Sequence, residues 1–247
     1  MKRIVHWQVV LAVLLISVSA LLYLLHYSIF HDAHHIFLYM IGDLAFLFID
    51  VLLVTLILHR LLAFREKRTM LKKLNMVIGA FFSEAGIRLI RIFAGFDPAF
   101  AGLAGELIVT NAWTDREFLA MRGRLEKHIF SVDRTKGDLE ELKRFLGEKR
   151  QFLLGLLENP NLLEHESFTN LLWAVFHLTE ELSHRRECAG LPQADYEHLE
   201  GDIKRAYALL VGEWLMYMKH LKTDYPYLFS LAVRTNPFDA SARAVVC

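Results

Sequence analysis

The chain has 247 residues, 54% of them hydrophobic, and its 28 basic side chains balance 28 acidic ones. Zero formal charge without a basic domain excludes a general nucleic-acid binder. Cys188 and Cys247 stand far apart, which excludes a disulfide framework.

The apolar excess sits at the N-terminus. Residues 4–25 read IVHWQVVLAVLLISVSALLYLL, with no Asp, Glu, Lys or Arg. At about 1.5 Å per residue such a helix crosses a hydrocarbon core of about 30 Å. Val18-Ser19-Ala20 has the small residues of a cleavage site, but Leu21 to Leu25 prolong the apolar run and predict a retained anchor. Residues 36–58 form a second span. Lys2 and Arg3 precede the first span, and Arg60, Arg65, Lys67, Arg68, Lys72 and Lys73 follow the second, while Tyr27 to His35 has no Lys or Arg. This bias predicts a multi-pass hairpin with both termini cytoplasmic and a basic collar suited to anionic lipid headgroups.

Asp43 and Asp50 lie inside the second span, where a carboxylate costs roughly 2.5–3.5 kcal/mol on insertion scales. Seven residues apart, they share a helix face that Gly42 widens, and in an antiparallel hairpin Asp43 comes near the depth of Ser19. The first span offers neither of them a Lys or Arg. They therefore act as hydrogen-bonded glue, through serine or across a homo-oligomer, or else as the acidic lining of a cation or proton path.

The connection HYSIFHDAHH gathers His26, His31, Asp32, His34 and His35. Asp32 is placed to cap the second helix. His31, His34 and His35 have the donor type and helical spacing for a metal or a haem axial position, which makes an external metal or haem sensor one reading of this loop.

No Pro interrupts His35 to Asp97, so the second span is predicted to continue as a juxtamembrane stalk over residues 63–96. Asp97-Pro98 ends it. A short helical pair follows around Ala101 to Phe130, with Thr114 as N-cap. Leu139, Leu142, Leu146, Leu153 and Leu156 mark a helix over 136–157. Phe168, Leu172, Val175 and Leu182 mark another after Pro160, and Leu210, Trp214, Met218 and Leu221 a third after Pro192. Alternating strand patterns are absent. The fold class is all-α: a transmembrane hairpin over residues 1–62, the stalk, and a cytoplasmic helical bundle over 97–247. Its aromatic tail YPYLFSLAVRTNPF either packs back on the bundle or docks a protein partner.

Catalytic motifs are not found. Glu181-Leu-Ser-His184 has the spacing of a di-iron Glu-x-x-His, with His177 on nearly the same face, yet the apolar stripe of that helix lies opposite and only Asp195-Tyr-Glu-His198 echoes it. A solvated charged face is the reading. His165 to Leu172 is similar to the phospho-accepting box of sensor kinases, but Asn170 stands where proline is expected and no ATP-binding domain follows.

GDLAFLFIDVLLVTLILHRLL, KLNMVIGAFFSEAG and YPYLFSLAVRTNPF together resemble an uncharacterised type of bacterial two-pass inner-membrane protein with a helical cytoplasmic domain. The resemblance implies layout and a bacterial inner-membrane location, and no activity. The functional expectation is a membrane-anchored interaction or scaffold protein, homo-oligomeric through the Asp-bearing second span and the stalk, with no catalytic activity inferred. The alternatives are an oligomeric cation or proton pathway through Asp43 and Asp50, and the external metal or haem sensor.

Overall fold

The computed structural model describes residues 2–160, 162 and 165–245; Cys247 lies outside them. The chain divides into two units, Met1–Lys67 and Arg68–Cys247. All regular structure among the described residues is helical.

In the first unit, α1 (Lys2–Phe30) and the start of α2 (Ala33–Phe81) are joined by a two-residue turn. His31 takes φ 51° there, the left-handed conformation that ends many helices, and its N–H donates to the Tyr27 carbonyl at 2.9 Å. The Asp32 carboxylate then accepts from the His35 N–H at 3.2 Å and opens α2. Val9–Phe30 and Ala33–Arg65 are each long and apolar enough to cross a membrane by length and composition, and neither has a buried residue. Of the basic collar, Arg60 and Arg65 lie on this exposed stretch of α2. The side chains of Lys67, Arg68, Lys72 and Lys73 lie outside the described residues.

In the second unit the segment expected as a stalk lies inside the bundle: from Leu74 onward it supplies core side chains. Its helical path changes pitch once, at a π turn over Phe82–Gly86 closed by the Ile87 N–H to the Phe82 carbonyl. The extra residue in that turn allows both Phe81 and Phe82 to be buried. Phe81 meets Phe168 edge-on at 5.3 Å, while Phe82 stacks on Tyr217 at 5.0 Å. After the turn, α3 (Ile87–Phe96) buries Leu89, Ile90, Phe93 and Phe96 and stops before Pro98.

Two short helices follow, α4 (Phe100–Glu106) and α5 (Asp115–Leu125). Thr114 and Glu117 form a reciprocal capping box at the start of α5. The helix ends at Leu125, short of the expected Phe130, whose ring instead packs on Tyr207 at 5.0 Å. Asp138 accepts from Glu140 N and Glu141 N to start α6 (Leu139–Leu157). α7 (Glu166–Ser183) is capped by His165, whose Nδ1 accepts from Phe168 N at 3.3 Å. That gives the imidazole of the kinase-like octapeptide a structural role.

The axis of the unit is α8 (Gln193–Asp224), which packs against α3, α5, α7, the π turn and α9 (Pro226–Arg234). Leu199, Ile203, Ala206, Leu210, Trp214, Met218 and Leu221 recur every three or four positions and are all buried. Asp202, Val211 and Leu215 add a second buried flank. The aromatic tail folds back: Phe238 meets Trp214 at 4.8 Å, and Asn236 Nδ2 donates to the Leu107 carbonyl at 2.9 Å.

Two glycines test this packing. A Cβ on Gly137 would overlap the buried Phe96 ring, whereas one on Gly147, on the exposed face of α6, would meet nothing within 4 Å. Gly137→Ala should therefore destabilise the unit by about 1–3 kcal/mol. Gly147→Ala should stabilise it by about 0.5–1 kcal/mol, both read as opposite Tm shifts in near-UV circular dichroism. Equal shifts would contradict the packing.

His220 on α8 gives a pH test. Its Nδ1 lies 3.1 Å from Asn75 Nδ2 and 2.9 Å from Asp224 Oδ2. Burial nevertheless holds its pKa below the ordinary 6.5, outweighing the Asp224 charge. A depressed histidine pKa means the unfolded chain takes up the proton first, so this contribution is present above pH 6.5 and is lost as pH falls through it. The Tm of the protein should drop from pH 7 to pH 5.5, and His220→Gln should remove that part of the slope. An unchanged profile in the variant would refute the assignment.

Candidate functional site

Polar side chains gather at two places, one in each unit. In the hairpin, Ser19, Tyr23 and His26 lie at positions i, i+4 and i+7 of α1, and His35, Tyr39 and Asp43 at i, i+4 and i+8 of α2. Both stripes line one groove of about 460 Å³, together with Leu15, Val18, Leu22 and Ile36. The rings of His26 and His35 stack at 5.8 Å, and His26 Nε2 is buried without a hydrogen-bond partner. Ser19 and Asp43 both border the groove; Asp50 is not part of its lining.

The three external histidines do not converge. His31 stacks on Tyr27, and His35 lies between His26 and Tyr39. Among the described residues, the one group of three or more His, Cys, Asp or Glu side chains able to share a cation is elsewhere, at His177, His198 and Asp202. The metal or haem expected at His31, His34 and His35 has no such group behind it among the described residues, and the cluster that could hold a metal ion lies in the second unit instead.

The bundle site is built from two matched pairs. α7 supplies His177 and Glu181, and α8 supplies His198 and Asp202, each pair at i, i+4 and hence on one helix face. Packing α7 on α8 brings the four together. Nε2 of His177 lies 3.3 Å and Nε2 of His198 3.4 Å from the same oxygen, Asp202 Oδ2. Glu181 stands beside them, with Oε1 3.9 Å from His177 Nε2 and Oε2 3.7 Å from His198 Nε2. The ligand atoms of His177, His198 and Asp202 all fall within 4.8 Å of one another.

Burial is graded across the site. Asp202 is 3% exposed, whereas His177 and His198 are 45% and 51% exposed. Asp202 Oδ2 is buried and makes no hydrogen bond, although both imidazole nitrogens lie near it. A buried acceptor left in that state costs about 1–3 kcal/mol. Its other oxygen lies 3.4 Å from Arg205 Nη1. Glu181 Oε2 accepts from Arg185 Nη1 at 2.8 Å, and this bond holds its carboxyl below the usual carboxylate range. Arg185 is itself anchored by Asp195, through Nε at 2.9 Å and Nη2 at 2.5 Å. Two imidazoles with one or two carboxylates suit a borderline divalent cation.

The solvated charged face expected around Glu181 is thus half of this cluster. His184, the other member of the expected Glu-x-x-His, is not in it: its Nδ1 donates to the Glu180 carbonyl at 2.8 Å at the end of α7. Asp202 carried no mark in the motif reading. The available signal was the pair of His-x-x-x-acid spacings, His177/Glu181 and His198/Asp202, on consecutive helices.

Comparison with known proteins gives two family matches. The model described as "MJ1433, N-terminal helical domain" matches residues 2–62, and that described as "Uncharacterized protein MJ1433, C-terminal helical domain" matches residues 70–234. Uncharacterized protein MJ1433 of Methanocaldococcus jannaschii is 44% identical over 233 residues, which cover 94% of this chain and 94% of that protein. No solved structure matches. That relative is archaeal, which overturns the expected bacterial two-pass inner-membrane type and, with it, the bacterial inner-membrane location with cytoplasmic termini. Hydropathy and flanking charge describe a helical hairpin; they do not encode the cell that makes it. The chain belongs to the MJ1433 family of all-α proteins with an N-terminal and a C-terminal helical domain.

Proposed function

We propose that the chain is a membrane-anchored helical scaffold, its hairpin inserted in a lipid bilayer and its C-terminal domain serving interaction rather than catalysis. One observation carries this reading: the hairpin has no buried residue over Val9–Phe30 and Ala33–Arg65. Ile16, Leu24 and Phe48 are 69%, 68% and 74% exposed, while the second unit buries its own apolar side chains. Apolar surface left in water costs about 25 cal/mol per Å², and so many side chains at once require lipid or protein cover. In the second unit, Met76, Tyr227, Leu228 and Leu231 remain exposed, which supports a binding role for that domain.

Homo-oligomerisation is part of the proposal. Asp50 lies outside the groove that holds Asp43 and Ser19, and a second copy would supply it with a hydrogen-bonding partner inside lipid. A second reading rests on the groove lined by Ser19, Tyr23, His26, His35, Tyr39 and Asp43, whose polar side chains suit a proton or cation pathway in an oligomer.

Full-length protein should resist alkaline carbonate extraction and float with liposomes, and in mild detergent its mass should exceed that of one chain. Recovery in the soluble fraction would overturn the anchor, and a monomer would overturn the oligomer. Reconstituted vesicles should show no ion or proton flux on the scaffold reading. Flux that Asp43→Asn abolishes would favour the pathway.

A further inference from the structure

We propose that His177, His198 and Asp202, with Glu181 at a fourth position, bind one divalent cation of the zinc type and so clamp α7 to α8. All four residues belong to the second unit, and the site does not depend on membrane insertion.

Three observations converge on it. The first is spacing. Donors about 2.0–2.1 Å from a tetrahedral cation stand about 3.3 Å from one another. The two imidazole nitrogens lie 3.3 and 3.4 Å from Asp202 Oδ2, and 3.9 and 3.7 Å from the Glu181 oxygens. Small rotamer adjustments of the half-exposed histidines would close the remaining distance.

The second is the unanswered oxygen. Asp202 Oδ2 is buried, has two imidazole nitrogens beside it, and forms a hydrogen bond with neither. An ion pair with a protonated imidazole would direct an N–H at that oxygen. A cation shared between oxygen and nitrogens needs the opposite arrangement, with lone pairs from all of them directed at a common point.

The third is the support around the ligands. Arg185 holds Glu181 and is itself fixed by both oxygens of Asp195, while Arg205 stands at the far oxygen of Asp202. Such outer contacts orient metal-binding carboxylates. The donor set selects the class of ion: two imidazoles favour zinc, cobalt or nickel over magnesium or calcium, which prefer all-oxygen cages. The exposed side of both histidines gives the ion entry from solvent.

The test uses full-length protein made without a histidine tag, stripped with a chelator and titrated with zinc chloride or cobalt chloride. One equivalent of zinc should bind per chain and raise Tm, and cobalt should give the visible absorption of a four-coordinate site. The double variant His177→Gln/His198→Gln, altered only at half-exposed positions, should fold with the Tm of the stripped protein and lose both effects. Arg185→Gln should weaken binding by about 10–100-fold. The triple variant His31→Gln/His34→Gln/His35→Gln should bind as the parent does. Absence of saturable binding would overturn the proposal, as would binding that survives the double variant or disappears in the triple one.

Discussion

A helical hairpin that satisfies its own backbone but fully buries none of its apolar side chains is the constraint on which this molecule turns. Within α1 and the first part of α2 the peptide groups are bonded along each helix, which is the condition for entering lipid. Ser19, Tyr23, His26, His35, Tyr39 and Asp43 line the groove beside Leu15, Val18, Leu22 and Ile36, while Ile16, Leu24 and Phe48 stand exposed. The second unit meets the same physical demand differently, by wrapping its apolar surface around one long helix.

That wrapping explains several local features at once. α8 is buried on two adjoining flanks, so elements must approach it from several directions. The π turn at Phe82–Gly86 allows adjacent phenylalanines to serve different neighbours, Phe168 on α7 and Tyr217 on α8. Gly86 belongs to the same solution, since a Cβ there would lie 2.5 Å from the Phe82 ring. The metal-type cluster lies at another edge of this packing, where α7 and α8 bring two modest i, i+4 pairs into one group.

Periodicity made most of the fold legible. The Leu139 to Leu156 and Phe168 to Leu182 stripes, the Trp214 face, the Thr114 cap and the Asp32 cap are local patterns, and local rules decide them. The stalk was less legible because an uninterrupted helix carries no mark of where it enters a core; Leu74 and Ile78 resemble any apolar stripe until α8 covers them. The site was least legible. Glu181 and His177 sit off the apolar stripe of α7, and only the pairing of two helices reveals that Asp202 is buried opposite them. A motif confined to one segment cannot report a constellation made by two.

Contact with acyl chains tests most directly whether the bilayer is the proposed partner of the hairpin. Full-length protein in vesicles containing a lipid with a photoactivatable group in its acyl chain can be irradiated and its adducts mapped by mass spectrometry. Adducts should concentrate on Val9–Phe30 and on the apolar part of Ala33–Arg65, with α5 through α8 unlabelled. A hairpin without adducts, or labelling spread evenly over both units, would contradict the account.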